Sequence, residues 1–148
     1  MSRDSLEGMF EASHTGILDA PPETVWALWA DAGRWPEWNV ELESGELDGD
    51  LAVGTDATVK FKRGGKMRLT VVELEPGRLF TNEAKLPGCR FGHEHRVEPA
   101  GGGCEITHRL YLKGLTSGAF SFMFGRTRLR QSVVRFVERE AELTRRVA

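Results

Sequence analysis

The 148-residue sequence predicts an α+β fold: a curved, seven-stranded antiparallel sheet around a long C-terminal helix, with two short helices after the first strand. Three observations predict it. Apolar and polar residues alternate along most of the chain, which is the period of strands with one buried face. Short turn signatures, RGG, EPG, LPG and AGGG, separate the later runs, and connections this short make neighbouring strands antiparallel. Beyond about Leu115 the apolar period becomes helical.

The first strand is Phe10 to Leu18, where Phe10, Ala12, His14, Gly16 and Leu18 share one face. Asp19-Ala20-Pro21-Pro22 ends it and starts a helix, because proline is preset for the first helical turn and has no N–H to leave unpaired there. Val25, Leu28 and Trp29 give that helix its apolar face, and Gly33 to Trp38 breaks it into a second short helix or turn. Six strands are then expected, over Val40 to Leu47, Thr55 to Lys62, Lys66 to Glu75, Arg78 to Leu86, Cys89 to Glu98 and Cys104 to Lys113. In the closing helix Leu129, Val133, Phe136, Leu143 and Val147 form a stripe, with Arg139, Glu142 and Arg146 placed for surface pairing. No repeat, linker or low-complexity segment interrupts this order, so one domain spanning 1–148 is expected.

Composition narrows the function classes. At 40% hydrophobic content the chain is long enough to bury a core without staples. A formal charge of -2 favours no polyanionic partner, and no nucleic acid is expected. The opening MSRDSLEGMF lacks an apolar run of signal-peptide length, and GAFSFMFG is too short to span a bilayer, so a cytoplasmic protein without stable membrane insertion is expected. Cys89 and Cys104 stand about 27 Å apart in the expected hairpin at ~3.4 Å per residue, too far for a disulfide, and read as reduced core thiols.

The segment from Ile17 through IL-D-A-PPETVWALWAD, followed by RWPEWN, resembles the opening of the START-like (SRPBCC) superfamily, in particular its polyketide cyclase/dehydrase and lipid-transport branch. The resemblance covers nearly the whole chain in element order, with its motifs concentrated between Leu18 and Asn39. It implies a helix-grip fold with a cavity between the sheet and the long helix, and a first strand lying beside the last.

Side chains alternate across a strand, so the apolar sets name the face toward the helix. His14, His93, His95 and His108 all fall on it, with Phe61, Leu69, Phe80, Asn82, Phe91 and Leu110. A hairpin turning at Ala100-Gly101 sets His93 opposite His108 and Arg96 opposite Glu105 as an ion pair; a shift by two residues instead pairs His95 with His108. Three readings of the cluster follow. As zinc ligands, His93, His95 and His108 would supply three nitrogen donors with a fourth position open. Two points oppose this: no inward carboxylate is evident to orient the rings, and strand histidines sit ~7 Å apart. As an acid/base pair, His93 or His108 would move a proton in a cyclisation or dehydration, an activity the resemblance permits. As polar groups of an apolar pocket, the histidines and Asn82 would bind a ligand hydroxyl or carbonyl.

Trp35 and Trp38 are expected near the cavity entrance. GAFSFMFG, with Phe122, either plugs the cavity end, gates it on hinges at Gly118 and Gly125, or forms a partner, membrane-surface or homodimer patch. Arg126, Arg128 and Arg130 alternate instead of following a helical stripe, which marks a solvated face. The sequence therefore predicts a protein that binds a small hydrophobic molecule such as a polyketide, lipid or aromatic metabolite, with transport of it as a further role, and with no cofactor and no metal. The expected ligand-binding residues are His14, Trp38, Phe61, Leu69, Phe80, Asn82, Phe91, His93, His95, His108, Leu110 and Phe122. A cyclase or dehydratase using His93 or His108 is the first alternative. A protein-binding module is the second, since some relatives implied by the resemblance act on ribosomes or chaperones.

Overall fold

The computed structural model describes residues 8–147, without the side chains of Arg146 and Val147. The opening segment 1–7 and those two stripe and surface positions lie outside the described residues. Seven strands form one antiparallel sheet: β1 (Met9–Leu18), β2 (Leu42–Leu47), β3 (Asp56–Phe61), β4 (Lys66–Glu75), β5 (Leu79–Leu86), β6 (Cys89–Ala100) and β7 (Gly103–Gly114). Their order across the sheet is β1-β7-β6-β5-β4-β3-β2. Helix α1 (Pro22–Ala30), a 3-10 turn (Ala32–Arg34) and helix α2 (Trp35–Trp38) follow β1, and helices α3 (Ser117–Phe124) and α4 (Arg126–Val147) end the chain. This is the helix-grip architecture, α+β, with the sheet curled around α4.

The core lies between the concave sheet face and the helices. From the sheet it takes Ala12, Leu18, Val59, Phe80, Val97, Ile106 and Leu112, and from the helices Val25, Trp29, Val133 and Phe136, all buried. Gly16 fixes how closely α4 approaches: a Cβ there would lie 2.4 Å from Val137 Cγ1, so only glycine lets the helix settle onto β1.

The structure corrects three expectations. The β6–β7 hairpin turns at Gly101-Gly102, pairing Ala100 with Gly103 and His95 with His108. Gly101 has φ 58°, and the first central position of a type II′ turn needs a positive φ that the neighbouring Ala100 adopts only at a steric cost. His93 therefore faces Leu110, and the expected Arg96–Glu105 ion pair does not form. Arg96 faces Thr107 and lies 3.5 Å from Glu94, while Glu105 faces Glu98. The single closing helix is instead two, because Gly125 (φ 87°) stops α3 before α4 begins. The Arg139–Glu142 pair does form, at 3.0 Å.

Candidate functional site

A cavity of about 450 Å³ opens between the concave sheet and α2, α3 and α4. That size suits a small organic molecule. Its sheet wall is Phe61, Leu69, Asn82, Phe91, His93, His95 and Leu110; Trp35 and Trp38 form a second side, and Met123, Phe124, Leu129 and Phe136 a third. Glu41, Arg63 and Arg128 bring charge to the lining, Arg128 paired with Glu41.

Of the expected site residues, Trp38, Phe61, Leu69, Asn82, Phe91, His93, His95 and Leu110 come together here. Four do not reach the lining. Phe80 is fully buried and stacks on His95 from behind, ring centroids 3.8 Å apart. His108 is also fully buried, one layer behind His93. His14 lies across from His108 on β1, half-buried, on the part of the sheet that α4 covers. Phe122 is 83% exposed and faces away. Arg128, expected on a solvated face, is half-exposed at the cavity, whereas Arg130 stacks over Phe10.

The histidine cluster is tighter than strand spacing implies. One nitrogen from each of His93, His95 and His108 lies within 4.8 Å of the others, and the His93 and His95 rings stack at 3.8 Å. The ~7 Å separation expected from Cα spacing is overturned because the side chains lean together inside an aromatic box of Trp29, Trp38, Phe80 and Phe136. His93 Nε2 and His108 Nδ1 share a hydrogen bond of 2.8 Å. His95 Nδ1–H donates to the Phe80 carbonyl at 3.1 Å, which leaves Nε2 as the unprotonated nitrogen.

The second correction is an acid. Glu140 on α4 is fully buried, contacts His108 Nε2 with one oxygen and accepts from Trp29 Nε1 with the other. An inward carboxylate that orients an imidazole is thus present. It escapes a search of the strands because it comes from the helix, but its position is legible: 129, 133, 136, 140 and 144 make an unbroken helical stripe. A carboxylate on the buried stripe of an otherwise amphipathic helix is the signal.

Burial dominates the electrostatics. It pushes Glu140 well above the usual carboxylate range, a shift only partly opposed by the Trp29 hydrogen bond. It holds His93 and His95 well below the ordinary imidazole value, helped by the neighbouring rings, and takes His108 down to about 3. The cluster is accordingly a neutral, hydrogen-bonded network. Two atoms stand outside it: Trp38 Nε1 and Asn82 Oδ1 are buried side-chain atoms without a hydrogen-bond partner among the described residues. Both residues line the cavity, and Asn82 is the cross-strand neighbour of His93.

An open, largely apolar cavity inside a helix-grip fold defines a START-like ligand-cavity protein. The chain belongs to the family described as polyketide cyclase/dehydrase and lipid transport, whose pattern matches residues 9–144. Solved structures agree on the fold. A protein from Mesorhizobium loti superposes with a TM-score of 0.70 at 17% identity, covering 94% of this chain and 99% of that one. Norcoclaurine synthase from Thalictrum flavum, in complex with dopamine and hydroxybenzaldehyde, superposes with a TM-score of 0.68 at 14% identity, covering 95% and 88%. A START superfamily protein from Mycobacterium smegmatis gives 0.66 at 13% identity, covering 95% and 100%. Among curated proteins the sequence finds no match. No helix of the described residues is long and apolar enough to cross a membrane.

Proposed function

We propose that the cavity binds a small, mainly apolar molecule of the polyketide, lipid or aromatic-metabolite kind that carries a hydroxyl or carbonyl oxygen. The observation that carries this reading is a pair of buried, unpartnered polar atoms, Asn82 Oδ1 and Trp38 Nε1, each on a residue that lines the cavity and each brought into contact with a ligand by a small side-chain turn. Asn82 Oδ1 can only accept and Trp38 Nε1 can only donate, so a ligand hydroxyl, which does both, complements either. A buried polar group without a partner costs about 1–3 kcal/mol, which bound ligand would recover as a roughly tenfold or larger gain per contact. Dopamine and hydroxybenzaldehyde, the small hydroxylated aromatics in the norcoclaurine synthase complex, are of this chemical kind. Equilibrium dialysis in EDTA-containing buffer, comparing 1-naphthol with naphthalene, tests it. Naphthol is expected to bind at least about tenfold more tightly, with the preference reduced in Asn82→Leu. Equal affinities, or a preference unmoved by Asn82→Leu, contradict the reading.

A second reading, a cyclase or dehydratase, is favoured by the line of contacts from Glu140 through His108 to His93. It joins a buried carboxyl to an imidazole at the cavity wall, an arrangement able to give or take a proton. In it His93 is the group that meets the substrate, and His108 and Glu140 set its tautomer. The same dialysis, run with a poly-β-ketone substrate, separates the two. Recovery of a dehydrated or cyclised mass from the wild type but not from His93→Phe supports turnover; unchanged substrate from both supports binding alone.

A further inference from the structure

We propose that His93, His95 and His108 form a binding site for one transition-metal ion of the zinc class, whose open coordination position faces the ligand cavity. The donor atoms are already gathered. A tetrahedral ion with Zn–N bonds of ~2.0–2.1 Å holds its nitrogens ~3.3 Å apart. His93 Nε2 and His108 Nδ1 are 2.8 Å apart and need to open by roughly half an ångström. The His95 nitrogen completes the set, all three lying within 4.8 Å of one another, and its lone pair reaches the ion when the ring turns out of its stack on His93.

The surroundings favour a metal in three further ways. Metal-bound imidazoles usually donate their remote N–H to a carboxylate or a backbone carbonyl, which fixes the ring and its tautomer. His95 does this through Nδ1 to the Phe80 carbonyl, and His108 Nε2 sits against the Glu140 carboxyl. Glu140 as a carboxylate also offsets the charge a divalent ion brings into a buried site. Second, Trp29, Trp38, Phe80 and Phe136 form a dry aromatic shell of the sort that strengthens metal–ligand bonds.

Third, access and the fourth ligand are provided on one side. His93 and His95 line the cavity while His108 stands behind them, so the uncovered face of the ion points toward the cavity. Asn82 Oδ1, unpartnered and directly across the ladder from His93, is an acceptor for the proton of a water or hydroxyl bound there. A set made only of imidazoles selects zinc, cobalt, nickel or copper over magnesium and calcium, which require oxygen ligands.

The site goes beyond simple ligand binding and is tested separately from it. The naphthol dialysis is run in EDTA, so failure of either claim leaves the other standing. The EDTA-treated full chain is titrated with Zn²⁺ by calorimetry and with Co²⁺ by visible absorption. One ion per chain is expected, with the intense d–d bands of four-coordinate Co²⁺, and a Tm raised by about 5 °C or more at a hundredfold excess of Zn²⁺ over Kd. His95→Phe, which keeps the stacking between Phe80 and His93, is expected to abolish binding; His14→Phe, which removes the histidine outside the cluster, is expected to leave it intact. Imidazole ¹⁵N shifts of the wild type, which need no variant to fold, should move for His93, His95 and His108 and stay fixed for His14. A stoichiometry below one, cobalt spectra of octahedral intensity, binding that survives in His95→Phe, or zinc-dependent shifts confined to His14 each overturn the proposal.

Discussion

Replacing Glu140 by alanine is expected to lower the stability of the metal-free protein by about 3–6 kcal/mol. The substitution strips a fully buried partner from two groups at once, His108 Nε2 and Trp29 Nε1. Each orphaned group costs about 1–3 kcal/mol, and the space left by the missing side chain adds to that. At roughly 2–4 °C per kcal/mol for a chain of this size, Tm should fall by about 6–24 °C. Glu140→Gln behaves differently. Its carbonyl still accepts from Trp29 and its amide donates to His108 Nε2, so a loss below about 2 kcal/mol is expected. Thermal and urea unfolding of the two variants check this. Equal damage from both would show that the buried carboxyl is ionised and paired with an imidazolium, against the neutral network described above.

Acid lability is the second large effect expected of the metal-free protein. The folded-state values of His93, His95 and His108 are depressed by burial, so below about pH 6.5 the unfolded chain takes up protons that the folded chain refuses. Stability on their account is fully present above that pH and is lost as pH falls. Glu140 has the opposite sign. Its raised value keeps a proton on the folded chain above about pH 4.5, where the unfolded chain has released it, so it withdraws stability as pH rises. Between about pH 4.5 and 6.5 the unfolded chain binds more protons than the folded one at the three histidines and fewer at Glu140. Three groups outweigh one, so stability falls as pH falls through this window, and the protein is expected to unfold in mild acid. Surface carboxylates with lowered values, the exposed Glu37 and the half-buried Asp56, add to the loss only below that window. Urea titrations across pH 4.5–8 should show maximal stability near pH 6.5–7. In Glu140→Gln the acid limb should steepen by one proton, and the decline on the alkaline side should lose the Glu140 contribution. A flat profile between pH 5 and 7 would mean that the histidines titrate normally and are not desolvated.

Much of this was legible in the sequence. Alternation named the inner face of β1 and of β3 to β7, including the three central histidines and Asn82, because a strand's two-residue period leaves little ambiguity once one face is apolar. The turn at Gly101-Gly102 was misplaced by one residue, and since each residue of turn displacement moves the pairing by two, the faces survived while His93 lost His108 as its direct opposite. Glu140 was missed for a different reason. A long helix tolerates one buried polar residue, so its stripe read as apolar residues around a gap, and only three-dimensional packing brings that gap over β7. Phe80 was assigned to the cavity by its face of β5, and Phe122 as part of the apolar GAFSFMFG segment. Chemistry did not separate them from Phe91, which does line it; the direction of a short helix at Gly125 and the depth of Phe80 behind His95 did.

The central claim is that the cavity takes an apolar molecule with a polar oxygen, and the indole of Trp38 reports on it directly. Trp29 donates to Glu140 and Trp35 donates to the Trp29 carbonyl at 2.8 Å, whereas the N–H of Trp38 has no partner among the described residues. The four indole ¹H–¹⁵N resonances should be followed while 1-naphthol is added. The account predicts a saturable downfield shift of the Trp38 proton, as expected of a new hydrogen bond, with Trp29 nearly still. Saturating naphthol that leaves the Trp38 resonance in place would contradict it.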